Sequence, residues 1–406
     1  MKLSKNLIKL LLRDPVFIIL SLNFFWVIIS YALGTLFGKS SNPLFIMRQF
    51  KTLFLFLSFI YVLYRNGLSI KFLINRFSIF LVIIIAFLLS FFSPDIKESL
   101  YKTITFIYPL LYIVFSVNYL SKFGAINILI ALSMVILVVY AIVPLSYFIN
   151  GGSLDTNIIY GKNESNLFVS NHYGWSCAMY IITSFTVLKF YPLKKLYKWC
   201  IIGFLPFVFI LLLLSASRSG ILSVMIAFTF FIFKKNSFNT FKKVLLIIFS
   251  FSILLILVNK NSFVVDYLAE KNSRQFESGE ESRLITANSM FKTFGENPIY
   301  FITGVGMFNY SEINFNSLNL PSYHNSYLEI LFGAGIFVFF AFLKFMIIKP
   351  IKVFWKTISD YSFLIFPLML IPFFESDLTA GQFLFFPWFT FMIILNLKEL
   401  NFYSKK

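Results

Sequence analysis

Cysteine and histidine are almost missing from this sequence, with two of each in 406 residues. Cys177 and Cys200 lie in or beside apolar runs with no CxxC spacing. That excludes a disulfide framework or thiolate metal site and leaves both as free packing residues. His172 and His324 stand far apart and the carboxylates form no DxD-type pair, so neither a bound metal nor any cofactor is expected. Charge is scarce as well: 13% of residues are charged and 59% are hydrophobic, which excludes an ordinary soluble domain. The acidic sign is the rarer, 17 residues against 35 Lys and Arg, for a net charge of +18 at pH 7. No internal repeat or low-complexity tract interrupts the chain.

What is present is a series of apolar runs. Twelve of them approach the length that crosses about 30 Å of hydrocarbon: 16–36, 44–64, 77–92, 103–119, 125–149, 173–188, 200–214, 221–233, 244–258, 326–348, 361–374 and 383–397. The expected fold is all-α, a polytopic integral membrane protein of about 12 helices forming a single domain over residues 1–406. Lys2, Lys5, Lys9 and Arg13 precede the first run, which is too long for a signal-peptide core and is followed by no small-x-small cleavage site. It reads as an anchor with the amino terminus inside. Alternation through twelve spans then puts both termini in the cytoplasm with most of the Lys and Arg, while among the acids only Asp14, Asp360 and Glu399 fall inside. The basic balance is therefore a topology signal. Membrane lipid is the expected partner and nucleic acid is not.

Most connections are short. Two outward segments are not: 150–171, a polar stretch that includes Gly151 and Gly152, and a large extracytoplasmic loop over 259–325. Within that loop, Leu284, Ala287, Phe291 and Phe294 recur at helical spacing. They predict a surface helix over 282–294 that Gly295 can close and Pro298 ends. A polar turn at Gly304 and Gly306 follows, and the chain returns through Pro321 to His324.

The candidate functional residues gather on the outward side. Arg218 ends an apolar run amid Ser215, Ser217 and Ser219, and its planar fork of donors matches phosphate oxygens, with hydroxyls to complete the cradle. The plainer role is a snorkelling arginine that caps its helix. Arg283 sits in the first turn of the loop helix, where a cation is locally unfavourable unless an anion is bound there or Glu280 or Glu281 pairs with it. His324, followed by Asn325 and then by Glu329 near one helical turn on, can take a proton from a hydroxyl near neutral pH, or serve simply as an interfacial histidine. Asn171 beside His172, Arg48 with Lys51, and Asp377 with Glu375 are further outward-facing candidates, the plainer roles being headgroup contact for the basic pair and a solvated turn for the acids.

Three of these stretches resemble the O-antigen polymerase and O-antigen ligase superfamily of bacterial envelope glycosyltransferases. SASRSG at Ser215 to Gly220 looks like its Ser/Thr-x-Ser/Thr-Arg turn. ESRLITANSMFKTFGENPIYFITGVG at Glu281 to Gly306 is similar to its Arg-bearing loop helix with a following Pro and Gly-x-Gly. YHNSYLEILFGAG at Tyr323 to Gly335 is similar to the ligase-type His-Asn, nine residues, Gly pattern, although Val338 stands where that pattern tends to have Gly, Thr or Tyr. The resemblance covers about residues 160–380 in order, spacing and sidedness.

The resemblance implies a helical bundle of the C type of glycosyltransferases in the bacterial cytoplasmic membrane, with its site facing outward. The donor it implies is undecaprenyl pyrophosphate carrying an oligosaccharide. Arg218 and Arg283 would grip the pyrophosphate and His324 would be catalytic at the acceptor hydroxyl, with no metal required. The expected activity is polymerisation of lipid-linked repeat units, with a chain-length regulator as a further partner. Transfer of finished glycan to lipid A core or protein is the alternative within the superfamily, and a polysaccharide transporter or flippase is the alternative outside it.

Overall fold

A computed structural model describes residues 5–25, 42–66, 77–93, 95–149, 170–214, 218–233, 280–306, 325–352 and 390–394. Among the described residues 93% are helical and none is in a strand, as an apolar environment requires of a chain whose backbone must satisfy itself. The helices are α1 (Lys5–Arg13), α2 (Pro15–Phe25), α3 (Asn42–Asn66), α4 (Phe77–Leu89), α5 (Ile96–Leu120), α6 (Ala125–Ile149), α7 (Ser170–Phe190), α8 (Lys195–Leu214), α9 (Arg218–Phe233), α10 (Glu280–Glu296), α11 (Ile299–Thr303) and α12 (Ser326–Leu343). A single π turn, Lys344–Ile348, extends α12.

Three of these elements are long and apolar enough to cross a membrane: Ser99–Phe123, Lys195–Leu213 and Ser326–Lys352. They differ in setting. The first and third have 61% and 56% of their most apolar window buried by protein, the second 28%, so α8 is the peripheral one and leaves Leu196, Trp199 and Ile210 exposed. The runs at 244–258 and 361–374, and most of 383–397, lie outside the described residues, as does the full span count.

Local chemistry explains the boundaries. Asp14 separates α1 from α2: its carboxylate accepts from the Val16 amide at 2.9 Å, and Pro15 occupies the first helical position, where no amide hydrogen is needed. The same carboxylate meets Lys122 at 3.3 Å, and that ammonium lies 3.6 Å from the centre of the Tyr119 ring. This ties the amino-terminal segment to the short turn between α5 and α6.

α7 packs against α6, α8 and α9 and is the centre of one half of the bundle. Its small and hydroxylated residues, Ala178, Ser176, Thr183, Ser184 and Thr186, are all buried and let neighbouring backbones approach. Thr183 and Thr186 donate back to the carbonyls of Met179 and Ile182, which satisfies their hydroxyls inside the helix. Cys177 is buried there, Cys200 is exposed, and both are free thiols.

The loop helix differs in detail from the sequence expectation. α10 runs over Glu280–Glu296, through Gly295, which adopts no left-handed conformation. The stop comes from the next residues: the Asn297 amide bonds to Thr293, Pro298 begins a new short helix, and Tyr300 bonds back to Asn297. α10 also does more than rest on a surface, because Met290 and Phe294 bury themselves with Val305 against Leu331 and Phe332 of α12.

Candidate functional site

Apart from Arg48, the candidate residues among those described fall into two sets. In the first, α7 and α9 start side by side. Trp175, fully buried, donates its indole N–H to the Ser219 hydroxyl at 2.5 Å. One residue before Trp175 and one after Ser219, a methyl on Gly220 would come within 2.9 Å of the Gly174 carbonyl oxygen, so the two backbones touch. Arg218 is the first residue of α9, and Asn171 and His172 are the second and third of α7, so these candidates lie at neighbouring helix starts. Helix starts carry the positive end of the backbone dipole and amides without helical partners, a setting that favours an anion.

Of the serines expected around Arg218, Ser219 is the described one. It is buried and its hydroxyl accepts from Trp175, so it takes part in the contact between the two helices. Ser217 lies outside the described residues.

The second set belongs to α10, α11 and α12. Arg283 is the fourth residue of α10, in its first turn as expected. Asn325 is the residue before α12, and its side-chain oxygen accepts from the amides of Tyr327 at 3.0 Å and Leu328 at 3.1 Å. Asn325 is thus the N-cap that fixes the backbone directly after His324, a structural duty that a candidate polar site residue had not suggested. His324 itself and Asp377 lie outside the described residues. Arg48 is within α3, the seventh residue of that helix.

Glu329 is 3% exposed, and its amide bonds to the Asn325 carbonyl at 3.0 Å. It occupies the fourth helical position, one beyond the place from which a glutamate reaches back to complete a capping box.

Sequence inspection missed a break in α12. Gly335 takes φ 74 and ψ 178, a conformation open to glycine and closed to residues with a Cβ, and interrupts the helix. The interruption removes helical donors from the carbonyls just before it. Two of them, of Phe332 and Gly333, instead accept from the amides of Val305 at 2.9 Å and Gly306 at 3.0 Å. The turn at Gly304 and Gly306 is thereby a docked strap, and those carbonyls are not turned toward an ion. Paired glycines on two distant segments, Gly304 and Gly306 with Gly333 and Gly335, were the only signal in the sequence.

Among the described residues no group of three His, Cys, Asp or Glu could hold a metal. Residues 203–343 match the O-antigen ligase family. No curated protein and no solved structure matches the chain.

Proposed function

By residues 203–343 the chain belongs to the O-antigen ligase/polymerase superfamily, and we propose that it is a polymerase joining undecaprenyl-pyrophosphate-linked oligosaccharide repeat units at the outer face of the cytoplasmic membrane. An integral membrane protein of this superfamily has a lipid-linked glycan as its substrate. The observation that carries the proposal is where the match falls: it contains Arg218, Arg283 and His324, and leaves out Arg48, Asn171 and Asp377.

In this reading Arg218 and Arg283, each in the first turn of a helix, hold the pyrophosphate oxygens. Guanidinium forks and helix-start amides stabilise the negative charge that grows on the departing pyrophosphate. His324 takes the proton from the acceptor hydroxyl as its oxygen bonds to the anomeric carbon. The bond from that carbon to the pyrophosphate oxygen breaks, undecaprenyl pyrophosphate leaves, and direct displacement inverts the anomeric centre.

The family's own description favours a second reading, in which finished glycan passes to lipid A core or protein. Cells lacking the gene, complemented with wild type or His324→Ala, separate the two on a gel of surface and carrier-linked glycans. A ladder collapsed to single-repeat species, restored by wild type alone, is the polymerase outcome. Long chains that stay on the carrier and never reach their acceptor identify a ligase. An unaltered profile in deleted cells rejects both.

A further inference from the structure

The strap over Gly304–Gly306 and the break at Gly335 fit each other in a way that neither helix needs for its own sake. At Gly304, which has φ 72, an added Cβ would overlap the carbonyl of Gly333; at Gly335 it would overlap that of Ile302. At Gly306 it would overlap the Ser93 hydroxyl, in the turn between α4 and α5, with the Ser99 hydroxyl 2.8 Å away. Three elements therefore converge on one glycine-lined seam: the arm of α10 and α11, the front of α12, and the turn that closes α4 onto α5.

The seam has an apolar cluster of its own. Met290, Phe294, Val305, Leu331 and Phe332 form it beside the main core that runs from α1 through α9 and the remainder of α12, with Phe339 packed against both. In an apolar surrounding the freed carbonyls of Phe332 and Gly333 must find donors, and the strap's two amides supply them. The break thus depends on the strap for its hydrogen bonds, and the arm depends on the break for its place.

We infer that Gly304, Gly306 and Gly335 are positioning residues for the transfer reaction: their seam fixes the arm that carries Arg283 in its first turn against the helix that begins behind His324. The inference rests on the reading of the site given above. It assigns the glycines no contact with substrate. Their effect passes through the placement of Arg283.

Binding of undecaprenyl pyrophosphate, the leaving product of the proposed reaction, to the purified full-length protein in detergent tests this. Wild type, Gly304→Ala, Phe294→Ala and Gly295→Ala are compared by titration, with limited proteolysis of each. Gly295 lies on the same arm with open space where a Cβ would be, so its alanine variant controls for the substitution itself. Phe294→Ala loosens the arm without any backbone overlap and covers the case in which Gly304→Ala does not fold. The expected result is a dissociation constant roughly tenfold higher for Gly304→Ala and Phe294→Ala, the scale of one misplaced charge-assisted hydrogen bond, with new cleavage confined to residues 280–306. Gly295→Ala should match wild type. Damage of a merely structural kind lowers the fraction of protein that binds and leaves the constant unchanged, and that outcome overturns the inference. Unchanged binding in both loosened variants overturns it too, with the functional reading intact. Wild-type protein that fails to bind undecaprenyl pyrophosphate sinks the functional reading first, and the positioning role with it.

Discussion

Gly174 and Gly220 meet backbone to backbone: a methyl group on Gly220 would lie 2.9 Å from the Gly174 carbonyl oxygen and 3.1 Å from Leu212. The contact holds the start of α9, and so Arg218, beside the start of α7. Gly220→Leu should push the two helices apart. Overpacking of this kind costs about 1–3 kcal/mol, so thermal unfolding of the detergent-purified variant is expected at lower temperature, together with a shortened glycan ladder. Wild-type stability in Gly220→Leu would show that α9 slides freely along α7.

Trp175 and Ser219 secure the same contact by a hydrogen bond between buried groups. Ser219→Ala deprives a fully buried indole N–H of this acceptor, at a cost of about 1–3 kcal/mol. Trp175→Phe loses the donor together with packing. In a double-mutant cycle the pair should cost less than the sum of the single changes, by roughly 0.5–1.5 kcal/mol of coupling. Strict additivity in unfolding measurements would mean that the bond contributes nothing to holding the helix starts together.

The all-helical class was legible because apolar runs at membrane length have few alternatives. α6 spans 125–149 in both the pattern and the structure, and α7, α8 and α9 begin three to five residues before their apolar runs. These extra turns are polar or basic ends that hydropathy alone cuts away. Gly295 was misread as a terminator: a glycine tolerates a helix interior at modest cost, and here Asn297 and Pro298 supply the stop. The break at Gly335 was invisible because what makes it possible, the amides of Val305 and Gly306, lies some thirty residues upstream. Arg283 in the first turn of its helix was legible from periodicity, whereas the capping duty of Asn325 was masked by its interest as a neighbour of His324.

The small cluster under the strap predicts uneven stability. Met290 is fully buried in it, so Met290→Ala removes contacts worth about 2–5 kcal/mol. Ile330, fully buried on α12, belongs instead to the main core. Hydrogen exchange should therefore accelerate in Met290→Ala over residues 280–306 alone, while Ile330→Ala lowers protection across the bundle. Equal spread of the effect in both variants would mean that the arm and the bundle unfold as one unit.

The N-cap of α12 offers a test close to the proposed chemistry. Asn325 accepts from two amides, and loss of such a cap costs about 0.5–2 kcal/mol. Much of that cost falls on the first turn, because the helix beyond it is held by Ile330 and Phe332, both fully buried. Asn325→Ala should then leave the thermal unfolding temperature nearly unchanged while exchange quickens at Ser326 to Leu328. If His324 acts from the backbone that this cap fixes, glycan extension falls at the same time. Asn325→Asp keeps an oxygen acceptor of the same length and should preserve both the slow exchange and the long ladder. An Ala variant that frays the turn yet extends glycans normally would separate His324 from the reaction, whereas an Asp variant that fails despite an intact turn would assign Asn325 a contact with substrate through its amide nitrogen.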